Sequence, residues 1–175
     1  MTSNSMYTDF SHMYNMIDIK TTIPPIINKQ ISQGIKTIYD TIISNSDYSY
    51  FKYILKLSKM DNILNQSHIN YTVFVPSDEK LRSKGITDAI FINMDISVAR
   101  QVVSYCILNN RINKSILEYN PIILLPTLNK FSQLLISNKE NLTYIHNVIQ
   151  IMKFDIECIN GIIHIIDDIP SPIII

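Results

Sequence analysis

Thr72-Val73-Phe74-Val75-Pro76-Ser77-Asp78-Glu79-Lys80-Leu81 reads as a buried strand that stops at a proline and turns into a helix. The β-branched and aromatic run Thr72–Val75 suits a strand. Pro76 lacks the N–H that a further ladder bond would need. Ser77 then stands as an N-cap. Asp78, Glu79 and Lys80 fill the first helical turn with the acids foremost, as the helix dipole prefers.

A second segment, far along the chain, has the same character: Asn160-Gly161-Ile162-Ile163-His164-Ile165-Ile166-Asp167. Asn160-Gly161 is a tight-turn signal that launches a strand over Ile162–Ile166, and Asp167-Asp168 ends it. Between the two segments the pattern predicts a helix from Val98 to Leu108, centred on Tyr105.

Together these segments resemble the signature motifs of the fasciclin-like (FAS1) domain, which read roughly T-V-F-A-P-[ST]-[DN]-x-A-F and N-G-x-[IV]-H-x-[IV]-D. The resemblance covers Ile35 to Pro172. It falls on Thr72, Val73, Phe74, Pro76, Ser77 and Asp78, on Tyr105, and on Asn160, Gly161, His164 and Asp167, and it implies structural roles for them. The implied fold is α+β, a wedge-like β-sandwich of mainly antiparallel strands flanked by several helices. The implied function is a non-catalytic adhesion or binding module, secreted or on a cell surface, that meets a protein or glycan partner without a cofactor or metal.

Two positions depart from the family pattern. Cys106 follows Tyr105 where the family usually has His. Integrin recognition in animal members is linked to that Tyr-His neighbourhood, so an integrin-type contact does not carry over. The surface around Tyr105 and Cys106 still stands as the expected place of interaction. Lys80 and Leu81 replace the usual Ala and aromatic residue, and a lysine there can snorkel to solvent.

Composition bounds the reading. A chain of 175 residues with 46% hydrophobic and 17% charged side chains is one domain long and can bury a core. Its 15 basic and 15 acidic side chains cancel and form no block, so no electrostatic footprint for nucleic acid is present. Ala occurs only at 89 and 99 and Gly only at 34, 85 and 161, while Ile abounds. That bias points to an AT-rich genome, a microbe or a large virus, rather than to function.

Met1–Lys20 does not read as a leader, because Asp9, Ser11, His12, Asn15 and Asp18 interrupt it. Ile122–Leu125 and Ile173–Ile175 are far too short to span a membrane. Cys106 and Cys158 lie in apolar pattern and read as buried free thiols, although spacing alone leaves a disulfide open. Sequons at Asn65, Asn70, Asn113 and Asn141 are about as many as chance supplies in a chain this rich in Asn, Ser and Thr.

Residues 1–33 read as an N-terminal extension or arm, 34–172 as the FAS1 domain, and 173–175 as an apolar tail. Helical rhythm runs through Ile35, Ile38, Tyr39, Ile42 and Ile43 and again from Tyr48 to Met60. Gly85 closes the short helix after the first motif, and Asp95 caps the next. That next helix carries a core stripe of Val98, Val102, Val103, Tyr105, Cys106 and Ile107. Strands follow over Ile122–Leu128, Phe131–Ser137, Leu142–Ile145, Val148–Phe154 and Ile162–Ile166, with turns at Asn129, Asn138, Asn141 and Asn147.

Catalytic readings find little support. Asp78 and Glu79 are adjacent on a helix and point about 100° apart, so capping explains them better than paired acid–base work. His164 alternates with apolar neighbours, and the resemblance makes it a structural histidine bonded near the first motif. His12, His68 and His146 show no metal-ligand spacing. No G-x-S-x-G elbow surrounds Ser77, and three glycines leave no room for a phosphate loop. The leading reading is a single-domain binding module. The alternative is a structural or assembly protein of a particle or intracellular complex, self-associating as a homo-oligomer through the arm or tail.

Overall fold

A computed structural model describes residues 34–170 apart from Lys130. The expected arm over residues 1–33 and the apolar tail over 173–175 lie outside the described residues. Helices dominate the first half: α1 (Ile38–Ser44), a 3-10 turn (Ser46–Tyr48), α2 (Ser49–Leu57) and α3 (Asp61–Leu64) precede β1 (Tyr71–Pro76). Then come α4 (Asp78–Ser83), α5 (Asp88–Ile92), α6 (Ile96–Tyr105), β2 (Ile107–Leu108) and α7 (Lys114–Tyr119). The remainder is strand: β3 (Ile122–Pro126), β4 (Gln133–Lys139), β5 (Leu142–Ile145), β6 (Ile149–Cys158) and β7 (Gly161–Ile166).

Local chemistry accounts for most boundaries. Thr37 caps α1 by accepting from the Asp40 N–H at 3.0 Å. The helix expected from Tyr48 to Met60 instead breaks at Lys59, whose φ of 59° takes the chain out of the helix. At the end of α4, Gly85 adopts φ +80°; its N–H reaches Arg82 O and the Ile86 N–H reaches Leu81 O, both at 3.0 Å. That pair of bonds is a Schellman closure, which favours glycine. Asp95 caps α6 through the Ser97 N–H at 2.7 Å.

The helix expected to reach Leu108 stops at Tyr105, because the free edge of β1 captures the next residues. The Phe74 N–H donates to Cys106 O at 2.9 Å, and β2 pairs antiparallel with β1, Val73 opposite Ile107. The expected stripe is also narrower: Ala99, Val103 and Tyr105 face the core, whereas Val98 is 44% exposed.

Among the described residues the strands form one seven-stranded sheet in the order β2-β1-β7-β6-β5-β4-β3. Only β1 and β7 run parallel; the other neighbours are antiparallel. Ten-residue β6 pairs with β5 at Ile149 and Gln150 and with β7 from Ile151 to Cys158, with register shifts between Ile151 and Ile156 and a positive φ at Asp155. Bulges bend and twist a strand. Here they let one sheet turn a corner, until Thr127 just past β3 meets Leu108 of β2 across a single bridge. The α+β class stands, but the expected two-sheet sandwich is replaced by a single sheet curled almost into a barrel.

Two apolar clusters result. Helices α1, α2 and α6 cover one side of β1 and β7, around Ile38, Phe51, Ile54, Val73, Val75, Val103 and Ile163. Inside the curl lie Phe74, Tyr105, Leu117, Leu134, Ile136, Ile145 and Ile166. Alternate residues of β1 therefore serve different clusters, which is why its whole run is apolar or β-branched.

The β4–β5 turn is Glu140-Asn141, both at positive φ, as a two-residue primed turn requires. Asn138, expected in a turn, instead sits within β4 and donates its amide to Leu117 O at 2.8 Å and Asn120 O at 2.7 Å. Phe131, expected to open a strand, lies in the preceding turn and is 97% exposed. Among the described residues no helix is long and apolar enough to cross a membrane.

Candidate functional site

Parallel pairing of β1 with β7 brings the two motifs side by side, with Phe74 opposite His164. Thr72, Asp78, Asn160 and His164 of the two motifs are buried and hydrogen-bonded inside the protein. Thr72 is buried; its hydroxyl donates to Asn110 O at 2.6 Å and accepts from the Ile112 N–H at 2.8 Å. That pins the loop after β2 across the sheet. Asn160, fully buried, accepts from the Ile38 N–H at 2.8 Å and donates to Leu64 O and Gln66 O at 2.7 and 3.0 Å. One side chain thus joins the start of α1, the end of α3 and the head of β7.

Gly161 has φ +147°, and a Cβ there would lie 2.0 Å from the Tyr71 carbonyl oxygen. Only glycine permits that approach of β7 to β1. Asp167 accepts from the Gln150 N–H at 2.8 Å and meets the Lys84 ammonium at 3.2 Å, tying the end of β7 to β6 and α4. Ser77 and Pro76 complete the junction, with the Ser77 N–H donating to Ile166 O at 3.0 Å and Pro76 opposite Ile166. Val73 is buried in the helix-covered cluster.

Asp78 departs from the expected role. Ser77 makes no side-chain capping bond to α4. The Asp78 carboxylate, 2% exposed, instead accepts from the Ser49 N–H at 2.7 Å, from the Ser49 hydroxyl and from the Tyr50 N–H at 3.1 Å. It caps α2, whose own N-cap residue Tyr48 offers no side-chain acceptor. Arg82 stands 3.8 Å from the same carboxylate and 5.1 Å over the Tyr50 ring. Glu79 is exposed and takes no part.

His164 is fully buried between the rings of Phe74 and Phe154, 5.5 and 5.6 Å away. The Asp155 N–H donates to its Nδ1 at 3.2 Å, so the proton sits on Nε2, which donates to Ile112 O at 2.8 Å. Burial pushes its pKa below the usual histidine range, against the opposing pull of the Ile112 carbonyl and Asp155. The ring is thus held in its neutral form between two backbone partners.

Tyr105 and Cys106, expected at an interaction surface, are both buried. They sit at the end of α6 where the chain dives into β2. The Tyr105 hydroxyl lies 3.1 Å from Gln133 O and 2.7 Å from His146 Nε2, and the two rings stack at 5.9 Å. An imidazole therefore reaches this tyrosine from the β5–β6 turn, a partnership that a separation of 41 positions hides from sequence reading. Cys106 and Cys158 are free and buried.

The outer surface is the remaining candidate. A shallow, open depression of about 440 Å³ between α7 and the β4–β5 turn is lined by Glu118, Lys139, Glu140, Asn141 and Thr143 over Asn138. Among the described residues no three His, Cys, Asp or Glu side chains group as metal ligands. Large apolar side chains are exposed along α5 and the start of α6: Ile90 (53%), Ile92 (67%), Ile96 (45%) and Val98. Of these four, the sequence reading placed only Val98, and put it in the core stripe.

The family model described as the Fasciclin domain matches residues 46–172. Among solved structures, a FAS1 domain pair from the insect cell adhesion molecule fasciclin I superposes with a TM-score of 0.64 at 19% identity. That match covers 80% of this chain and 51% of the other, so the chain spans about half of the domain pair. No curated protein matches the chain.

Proposed function

The chain belongs to the Fasciclin domain family, and from that membership we propose that it is a non-catalytic adhesion or binding module whose partner is a protein docking on the α5–α6 face. The observation that carries this reading is the ridge of Ile90, Ile92, Ile96 and Val98. Four exposed aliphatic side chains within nine residues of chain favour a protein contact over a sugar site. Behind them Phe91, Ala99 and Val103 are anchored in the core, so the ridge is presented rigidly and little ordering cost accompanies binding. The motif residues support the same conclusion from the other side, since their polar groups are consumed in holding β1, β7, α1 and α2 together.

The test is attachment of cells, or retention of cell-surface protein, on plates coated with the full chain. Attachment above that on heat-denatured protein, reduced at least tenfold by Ile92→Asp with Val98→Asp, is the expected result. Equal attachment to native and denatured protein, or to native and variant, would overturn the reading. Both substituted positions are exposed, so the variant's melting temperature should stay close to that of the parent.

A further inference from the structure

We propose that β3 is a self-recognition edge, where a second copy of this chain adds its own β3 antiparallel and makes a two-fold dimer. The inference rests on the backbone, independently of the ridge on α5 and α6. The Asn138 N–H donates to Pro121 O and the Thr127 N–H to Ser132 O, on either side of β3. With Ile123 opposite Ile136 and Leu125 opposite Leu134, these bonds set the phase of the ladder. Odd-numbered residues of β3 turn their backbone groups toward β4, and even-numbered ones turn them outward.

Ile122 and Leu124 therefore direct two N–H and two C=O groups away from β4. Among the described residues β3 is the last strand in the sheet order, and the bridge across the seam to β2 is at Thr127, beyond Pro126. Edges of this kind are normally blunted by charge, by bulges or by a covering element. Here the edge is apolar, with Ile122 64% and Leu124 56% exposed, and Lys130 is the one charged residue from Tyr119 to Ser132.

A second β3 fits better than a foreign strand because the segment Pro121-Ile122-Ile123-Leu124-Leu125-Pro126 is self-complementary. Centring a two-fold axis on Ile123 sets Ile122 opposite Leu124 of the other copy and Leu124 opposite its Ile122. All four outward N–H groups then meet outward carbonyls, and side chains of one face stay on one face. Pro126, an outward-facing position without an N–H, disfavours registers shifted toward the end of β3.

Antiparallel addition also carries Tyr119, 84% exposed just before β3, toward the turn after β3 in the other copy, where Phe131 is 97% exposed. Aromatic side chains bring about 150–250 Å² each. Two tyrosines and two phenylalanines supply on the order of 800 Å², and the paired strands raise that past the ~1,000 Å² of a specific interface. The contact is isologous and closes on itself, so it ends at a dimer rather than a fibre. With no charge in the paired strands, like-charge repulsion does not oppose it.

Light scattering of the full chain over a concentration series should give twice the 20.2 kDa chain mass. Leu124→Lys should return it to the single mass with an unchanged far-UV spectrum. A monomer at every concentration up to about 1 mM, which corresponds to only ~4 kcal/mol of association, overturns the proposal. So does a dimer that Leu124→Lys leaves intact. Ile123→Cys provides an independent decision if that variant misfolds. Residue 123 lies on the axis, so mild oxidation should yield a disulfide-linked dimer well above the level of a Ser83→Cys control. Equal cross-linking of the two overturns strand pairing.

Discussion

Asp78 caps a helix that begins 29 residues before it, by accepting from both the backbone N–H and the hydroxyl of Ser49. The contact joins the first motif to α2 and so fixes how the helical layer sits on β1. Asp78→Ala would leave the buried Tyr50 N–H and the part-buried Ser49 N–H without these acceptors. Loss of the cap and of charge-assisted bonds should cost about 2–3 kcal/mol. Urea unfolding would measure it, with Asp78→Asn losing less because one acceptor oxygen remains. A change below about 0.5 kcal/mol in the alanine variant would show that α2 does not depend on this carboxylate.

Acidification should destabilise the domain through His164 and His146. Burial depresses both pKa values below the ordinary 6.5. The unfolded chain therefore binds more protons than the native one once pH falls under about 6.5, and stability present above that pH is lost as pH descends toward the folded values. Melting temperatures at pH 7.5 and 5 should differ, and His164→Gln should lower stability at pH 7.5 while flattening the slope. A His164 ring that titrates normally by NMR would contradict the burial argument.

Gly161→Ala should be among the most damaging single substitutions. Its Cβ would strike the Tyr71 carbonyl within the β1–β7 pairing, at a φ that side chains avoid. The cost is expected to be on the order of 4 kcal/mol, visible as insoluble expression or a large drop in unfolding midpoint. Gly85→Ala offers the contrast: its φ is also positive, but nothing lies within 4 Å of an added Cβ, so a loss of about 1 kcal/mol is expected.

Neither thiol should react readily in the native state. Burial pushes the Cys106 thiol well above the usual cysteine range and raises that of Cys158 against the pull of Thr41 and Arg111, and only the thiolate attacks. A disulfide reagent should label fewer than one thiol per chain before unfolding and two after it. Rapid labelling of Cys106 under native conditions would show that the α6–β2 junction opens.

The motif strands, the helix-first order, the Asp95 cap and the Gly85 closure were legible because each rests on chemistry within a few residues: a proline without an N–H, an acid before a helix, a glycine after one. The two-motif pattern, Thr72 to Leu81 and Asn160 to Asp167, was enough to indicate the family. Tertiary structure alone decided the rest. That Asp78 serves α2 rather than α4, and that His146 supplies the imidazole beside Tyr105, depend on partners 28 or more positions away. The curl of the sheet depends on where β6 bulges, and the exposed edge of β3 on what fails to pair beside it. Local propensity records what a residue can do; which groups meet, and which are left facing water, is set by the closing of the chain on itself.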